Sequence, residues 1–382
     1  MPWMQQDLMS LREEFVHLVE TARLPLATVC ERFGISRKTG YKWLARYRAS
    51  GRAGLADRSR RPRRGRPTLP AAVRAVLLAE RRAHPCWGAR KLRQRLVTQG
   101  LTPVPACSTI TALLHREGLL GSNQPRGAAA RGRFEHPVPN QLWQMDFKGA
   151  VPTVTGPTHP LTILDDHSRF NVRLQALPNQ QTATVQQALI ETFRRYGLPD
   201  RILVDNGSPW GSDAAHQDTP LTVWLWRVGV AVTHSRPYHP QTLGKDERFH
   251  GTLTREVLRD AQWRDPAHLQ TALDRWRAVY NQERPHEALG LAVPASRYQP
   301  SLRSYPEVLP PIEYDLGTFV RKVQQQGEFS FRGRVYKLSK AFRGYPVGVR
   351  PLAVDGQYEV LFCQHRLTTI DVRAVQDGKD RG

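Results

Sequence analysis

Residues 141 to 147 read Gln141-Leu142-Trp143-Gln144-Met145-Asp146-Phe147, an alternating run that predicts a strand with a carboxylate near its end. Pro160-Leu161-Thr162-Ile163-Leu164-Asp165 and Asn171-Val172-Arg173-Leu174-Gln175-Ala176-Leu177 have the same character. Residues 184–196 place Val185, Leu189 and Phe193 on one helical stripe, and Arg201-Ile202-Leu203-Val204-Asp205 reads as a short buried strand. Three strands, a helix and a fourth strand predict a mixed α/β sheet. Asp146 and Asp205 then fall at the ends of strands far apart in sequence. A carboxylate in a half-buried strand is costly, or shifts its pKa upward, unless a cation compensates it. Asp205-Asn206-Gly207-Ser208 is also ordinary turn chemistry, so this segment alone leaves both readings open.

Further along, His234-Ser235-Arg236-Pro237-Tyr238-His239-Pro240-Gln241-Thr242-Leu243-Gly244-Lys245-Asp246-Glu247-Arg248-Phe249-His250 reads as a loop opening a helix. Phe249, Leu253 and Val257 form its inward stripe. Glu247, two positions before Phe249, points about 200° round the helix from that stripe, toward a cleft or solvent. Arg248, Arg255 and Arg259 give the helix a basic edge.

The 382 residues carry 56 Lys plus Arg against 34 Asp plus Glu, a net charge of +22. That length excludes a disulfide-stapled mini-protein, and the excess charge points to a polyanion such as nucleic acid. With 40 % hydrophobic residues the chain can bury a core, which excludes a disordered polycation. Cys30, Cys86, Cys107 and Cys363 form no Cys-x-x-Cys pair, so buried thiols of a reducing compartment are expected rather than a zinc site. No stretch has the length and apolarity of a membrane span and the N-terminus lacks a leader pattern, so a cytoplasmic protein with no membrane partner is expected, nucleoid-associated when bound to DNA.

The charge is uneven: residues 1–135 hold 26 basic and 9 acidic residues, leaving a net +5 for the remainder. Leu11, Phe15, Leu18 and Val19 mark a first helix, residues 27–33 a second ending at Gly34, and Ser36 is placed to cap a third. This is helix-turn-helix spacing, with Arg37, Lys38, Thr39, Tyr41 and Lys42 on the helix that would enter a major groove; a plain three-helix bundle with a solvated basic face is the alternative. Next comes an arm with six Arg in residues 58–66, of which Arg60, Arg61, Arg63, Arg64 and Arg66 are placed to follow phosphates. A second helical unit spans residues 70–121, with helices before His84-Pro85, across residues 88–99, and from a Ser108 cap. In its middle helix Arg90, Lys91, Arg93 and Arg95 surround Leu92 and Leu96, the pattern of another DNA-reading module or of a packing spacer.

Trp143-Gln144-Met145-Asp146, Leu164-Asp165-Asp166-His167-Ser168-Arg169, Val204-Asp205-Asn206-Gly207-Ser208, Arg236-Pro237-Tyr238-His239-Pro240-Gln241-Thr242 with Gly244-Lys245-Asp246-Glu247-Arg248, and Tyr280-Asn281 with Arg284-Pro285-His286 occur in this order. Together they resemble the retroviral-integrase-like core of bacterial insertion-sequence transposases. The resemblance implies an RNase H-like fold and an acidic DDE triad, which by motif is Asp146, Asp205 and Glu247, holding two divalent ions, Mg²⁺ or Mn²⁺. It also implies double-stranded DNA as partner, both element ends and target, with terminal-repeat recognition upstream. Arg236, Tyr238, His239, Lys245 and Arg248, beside Glu247, become candidate DNA contacts. Two departures stand out: the 41 residues between Asp205 and Glu247 exceed the family's usual spacing, with residues 210–220 reading as an added loop, and no His-His-Cys-Cys zinc domain is present.

Breaking a phosphodiester with water, or joining it to a 3′-hydroxyl, needs an activated oxygen and neutralised charge on the leaving oxygen. Paired hard cations on carboxylates meet that need. Asp165 and Asp166 are rival acids that read instead as caps of the turn beside His167 and Arg169.

The expected organisation is a helix-turn-helix domain at 1–57, a basic linker at 58–69, a second helical module at 70–121, a linker at 122–138, the integrase-like core at 139–300 and a small β-barrel at 312–376. The barrel follows from short strands with Gly-bearing turns after Gly317, and a proline-rich joint at 294–311 precedes it. The reading is a multidomain DNA transposase that cuts and transfers element ends, working as a homo-oligomer because two ends must be paired. A sequence-specific DNA-binding regulator, or a catalytically inactive relic, is the alternative.

Overall fold

The computed structural model describes residues 7–21, 24–59, 69–120, 135–211, 218–235, 244–259 and 261–373. The chain divides into two compact units, Met1–Thr68 and Leu69–Gly382. Among the described residues no helix is long and apolar enough to cross a membrane.

The first unit holds α1 (Leu8–Glu20), α2 (Leu26–Arg32) and α3 (Arg37–Ser50). Phe15, Val16, Val29, Cys30, Trp43, Leu44 and Leu55 close one small core. Ser36 caps α3 as expected, its Oγ accepting from Thr39 N–H at 3.2 Å. Gly40 lets α3 cross α2 closely, since a Cβ there would lie 2.5 Å from Cys30 Sγ.

The second unit begins with α4 (Ala71–Ala83), α5 (Ala89–Thr98) and α6 (Cys107–Arg116), packed around Leu77, Trp87, Leu92, Leu96, Ile110 and Leu114. The expected Ser108 cap is corrected: α6 starts at Cys107 and Ala106 stands at its N-cap without a side-chain bond. Ala106 already has the extended backbone a cap needs, so the capping position falls ahead of the serine.

The core sheet contains β1 (Trp143–Phe147), β2 (Val151–Thr153), β3 (Gly156–Asp165), β4 (Asn171–Leu177), β5 (Arg201–Val204) and β6 (Ala231–His234). Its order is β2-β3-β1-β5-β6, with β4 also on β3. β1, β3 and β4 run antiparallel, while β1–β5 and β5–β6 are parallel. The sheet is mixed, as expected.

Alternation along β1 decides the layers. Trp143 and Met145 enter the core shared with α7 (Thr182–Tyr196) and α8 (Pro220–Arg227). Gln144 and Asp146 therefore face the opposite side, where α9 (Gly244–Leu253) and α10 (Pro266–Gln282) pack Phe249, Leu253, Leu269, Leu273, Trp276 and Tyr280 against Leu164 and Leu174. The sequence reading does not contain β2, α8, β6 or the C-terminal strand His365–Asp371. α8 opens on a Thr219–Thr222 capping box with Pro220 in its first turn, inside the segment expected to be a loop.

α5 docks on the core through its basic side. Arg95 pairs with Glu283, Lys91 is half-buried near Arg284 and Glu256, and Cys86 Sγ donates to Arg255 O at 3.4 Å. Burial, aided by Arg284, pulls Lys91 down to about 8. Arg90 and Arg93 remain exposed. Of the four cations expected around Leu92 and Leu96, Arg95 thus ties the module to the core by an ion pair and Lys91 is half-buried beside it.

The proline-rich segment 294–311 contains no α-helix, as expected, yet it is pinned to the core rather than free. Tyr298 stacks on Phe170 with ring centroids 4.2 Å apart, and Arg303 donates to Pro199 O at 2.8 Å. Gly197 permits the passage: its φ is +75°, and a Cβ would meet Ser301 O at 2.5 Å.

The C-terminal expectation of a barrel is corrected. Among the described residues β7 (Phe319–Lys322), β10 (Pro346–Pro351), β11 (Gln357–Phe362) and β12 (His365–Asp371) form an open four-stranded antiparallel sheet, and β8 (Glu328–Phe331) pairs with β9 (Arg334–Lys337) as a separate hairpin. Sheet and hairpin cover one core of Phe329, Phe331, Phe342, Val347, Val349, Val360 and Phe362, to which α8 adds Val223 and Trp226. With a helix closing part of that core, the sheet has no need to close on itself.

α10 is tied to β4 by a reciprocal pair: Asn281 Oδ1 accepts from Asn171 N–H at 2.8 Å, and Asn281 Nδ2 donates to Asn171 O at 3.0 Å. Asn281→Ala leaves a buried N–H unpaired and is expected to cost about 1–3 kcal/mol, read as a lower urea midpoint.

Candidate active site

The parallel pairing of β1 with β5 sets Gln144 opposite Leu203. Asp146 lies two residues further along β1 and Asp205 directly follows the last residue of β5, so the two carboxylates come from the same end of neighbouring parallel strands. Asp146 Oδ1 accepts from Phe147 N–H at 2.7 Å. Burial pushes the Asp146 carboxyl up to about 6; the Phe147 bond and Lys148 oppose this, while Asp205 and Glu247 add to it. Asp146 therefore feels both of the other expected carboxylates.

Asp205 occupies the turn its sequence suggested, with Oδ1 accepting from Gly207 N–H at 3.0 Å. β6 braces that turn: Asn206 Nδ2 donates to Ser235 O at 3.1 Å and His234 Nδ1 lies 3.0 Å from Asp205 O. The turn and functional readings of this segment are compatible, because the turn is what presents the carboxylate at the strand end.

Glu247 stands exposed in the first turn of α9, while Phe249 and Leu253 on the opposite side are buried. Among the described residues no three His, Cys, Asp or Glu side chains converge as a ready-made metal cage. The donor set still suits a hard cation: three carboxylates from a strand, a turn and a helix, two of them raising the proton affinity of the third.

Lys245, expected to contact DNA, forms an ion pair with the buried Asp166. Asp166 also accepts from Gln144 Nε2 at 2.7 Å and His136 N–H at 2.9 Å. Asp165 accepts from Asn140 N–H at 2.7 Å and from Ser168 Oγ at 2.6 Å. Both rival acids are thus engaged in holding the β3–β4 turn and its surroundings. Arg248 is exposed beside Glu247.

In the first unit Arg37, Lys38, Tyr41 and Lys42 are exposed along α3, with Thr39 half-buried. Lys42 Nζ lies 4.2 Å from the Trp43 ring centroid. Arg60, Arg61, Arg63, Arg64, Arg66, Arg236, Tyr238 and His239 lie outside the described residues.

Two neighbours of the site escaped the sequence reading. Asp246 is fully buried and neither carboxylate oxygen has a hydrogen-bond partner. Burial first, then Asp146 and Asp166, hold its pKa well above the ordinary carboxylate range. The available signal was its spacing: it stands one helical turn before Phe249 and two before Leu253, which places it on the inward stripe. His250, one turn beyond Glu247, is half-buried with Nδ1 3.8 Å from Asp146 Oδ2.

Comparisons with known proteins cover the chain piecewise. An integrase core domain model matches residues 136–240 and a second integrase core model residues 228–294. A helix-turn-helix domain matches residues 12–63, a homeodomain-like domain residues 39–114, and the C-terminal domain of IS481 family transposases residues 318–378. An uncharacterized 31.7 kDa protein of insertion element IS407 from Burkholderia multivorans is 27 % identical over 41 % of this chain and 55 % of its own length. An uncharacterized 39.2 kDa protein of insertion element IS476 from Xanthomonas euvesicatoria is 27 % identical over 41 % of this chain and 44 % of its own. The chain thus spans about half the length of these curated relatives. A chain of the simian T-cell lymphotropic virus intasome, in complex with PP2A regulatory subunit B56 gamma, aligns at 17 % identity and a TM-score of 0.36, covering 70 % of this chain and 93 % of that one.

Because the folded state holds the Asp246 proton more tightly than the unfolded chain does, stability is full below the unfolded carboxylate pKa and falls as pH rises toward the folded value. Asp246→Asn removes that loss. Its melting temperature relative to the parent, measured with chelator present, is expected to rise between pH 5 and pH 8.

Proposed function

We propose that this chain, which is similar domain by domain to insertion-sequence transposases with a retroviral-integrase-like core, is a DNA transposase that binds the ends of a mobile element and catalyses their cleavage and strand transfer. The observation that carries this reading is the parallel pairing of β1 with β5, which puts Asp146 and Asp205 at the same end of neighbouring strands, supported by the raised proton affinity of Asp146, to which Asp205 and Glu247 add.

In this mechanism Asp146, Asp205 and Glu247 are the residues that would hold two Mg²⁺ or Mn²⁺ ions. Bound there, the ions supply an activated oxygen and neutralise charge on the leaving oxygen. The chain's own part is placement. The β1–β5 ladder and the Gly207 turn aim two carboxylates at one place, and Lys245 on Asp166 anchors the first turn of the helix that carries Glu247. Arg248, exposed beside Glu247, is positioned to meet a DNA phosphate. No covalent protein–DNA intermediate is part of the scheme.

DNA recognition is assigned to the first unit, where α3 presents Arg37, Lys38, Tyr41 and Lys42 from a helix-turn-helix arrangement. The arm with Arg60, Arg61, Arg63, Arg64 and Arg66 adds charge for phosphates. Double-stranded DNA is therefore the partner, and joining two ends requires more than one copy of the chain in the complex.

Asp146→Asn is expected to lower both end cleavage and strand transfer with Mg²⁺ by about a hundredfold or more, the scale of removing a stabilising charge at a reacting centre. Its DNA binding should stay at the parental level in a gel-shift assay. Retained catalysis would overturn the assignment, while a parent that binds terminal repeats without cutting them would mark a regulator. Arg37→Ala and Lys38→Ala are expected to weaken repeat binding and to flatten the plot of log affinity against log salt by about 0.9 for each phosphate no longer neutralised.

A further inference from the structure

α9 carries Glu247 but shares no backbone ladder with the strands that carry Asp146 and Asp205. Side chains alone set its position against the sheet. Lys245 on Asp166 fixes its first turn, and His250 makes the next polar link.

We propose that His250 is a positioning residue of the active site, acting through Thr162 to hold the Asp146 segment of β1 and the Glu247 helix in one fixed relation. Thr162 is paired directly opposite Asp146 in the β1–β3 ladder and is fully buried. Its Oγ1 lies 2.9 Å from the Asp146 carbonyl oxygen and 2.8 Å from His250 Nε2. A carbonyl oxygen only accepts, so the threonine hydroxyl gives its single proton to Asp146 O. The bond with His250 must then be Nε2–H donating to Thr162 Oγ1. This fixes the hydrogen on Nε2 and turns Nδ1 toward the Asp146 carboxylate, with Oδ2 at 3.8 Å, beyond hydrogen-bond distance.

The result is a relay of helix, imidazole, hydroxyl and strand that reaches Asp146 at its carbonyl through Thr162. Glu247 lies one helical turn before His250, so any tilt of the ring displaces the turn that bears Glu247. The inference rests on the proposed role of Asp146 as a cation ligand and adds to it the residue that sets its aim.

The test uses the full-length protein with Mn²⁺ alone as the probe, its free concentration followed by electron paramagnetic resonance. His250→Phe, which keeps a ring and removes both nitrogens, is expected to weaken Mn²⁺ binding about tenfold, the lower end of the effect for residues that orient ligands. Thr162→Val should do the same. The double variant should be no worse than either single one within about twofold, because the two residues are links of one relay. His250→Gln, whose amide can still donate to Thr162, should recover most of the lost affinity, which a purely space-filling role would not allow. Parental Mn²⁺ affinity in His250→Phe or in Thr162→Val, or losses that multiply in the double variant, would overturn the proposal. Asp146→Asn separates the two levels: if it abolishes Mn²⁺ binding while His250→Phe does not weaken it, only the role of His250 falls. If Asp146→Asn binds Mn²⁺ as the parent does, the cation reading fails and this inference with it.

Discussion

Two carboxylates at the same end of neighbouring parallel strands repel one another, and the packing on both faces of the sheet holds them there. β1 and β5 cannot relieve the repulsion by sliding, because a one-residue slip would turn Trp143 and Met145 out of the apolar core and bring Gln144 and Asp146 into it. The apolar face of the sheet therefore enforces an electrostatically unfavourable arrangement on its other face. Burial pushes the Asp146 carboxyl up to about 6, and the repulsion from Asp205 and Glu247 adds to that rise. A cation would relieve both contributions at once.

On the far side of the sheet, α9 faces a similar conflict. Its inward stripe buries Phe249 and Leu253 but also Asp246, a carboxyl without a hydrogen-bond partner. A helix buries such a group only when other interactions hold it down. Here they are the aromatic packing of Phe249 on Trp276 and Tyr280, the Lys245–Asp166 ion pair, and His250 on Thr162. The surroundings of Glu247 are thus assembled at a local cost in stability, a common mark of sites arranged for chemistry rather than for folding.

Outside the sheet, two basic regions have different fates. α3 keeps its cations on an exposed face, whereas α5 turns Lys91 and Arg95 inward to Glu283 and its neighbours. Net charge alone did not separate these cases, since both helices are basic in sequence and differ in what packs against them. The same limit applies to Lys245, whose charge suggested DNA and whose partner is Asp166, far back in the chain at the end of β3. The C-terminal strands show it for architecture: their alternation was legible, but whether they close into a barrel depended on α8, which supplies Val223 and Trp226 to their core.

The strand patterns of β1, β3, β4 and β5, the inward stripes of the helices, the cap at Ser36 and the three candidate carboxylates follow from local sequence, because period, turn chemistry and capping act over a few residues. α8 and β6 escaped because they follow a polar segment and are short, so their apolar pattern has little length in which to repeat. Which cations are engaged in ion pairs, and the link from His250 through Thr162 to Asp146, belong to the tertiary structure alone. Those relations join residues far apart in the chain, and only the packing of α9 against the sheet brings them within reach of one another.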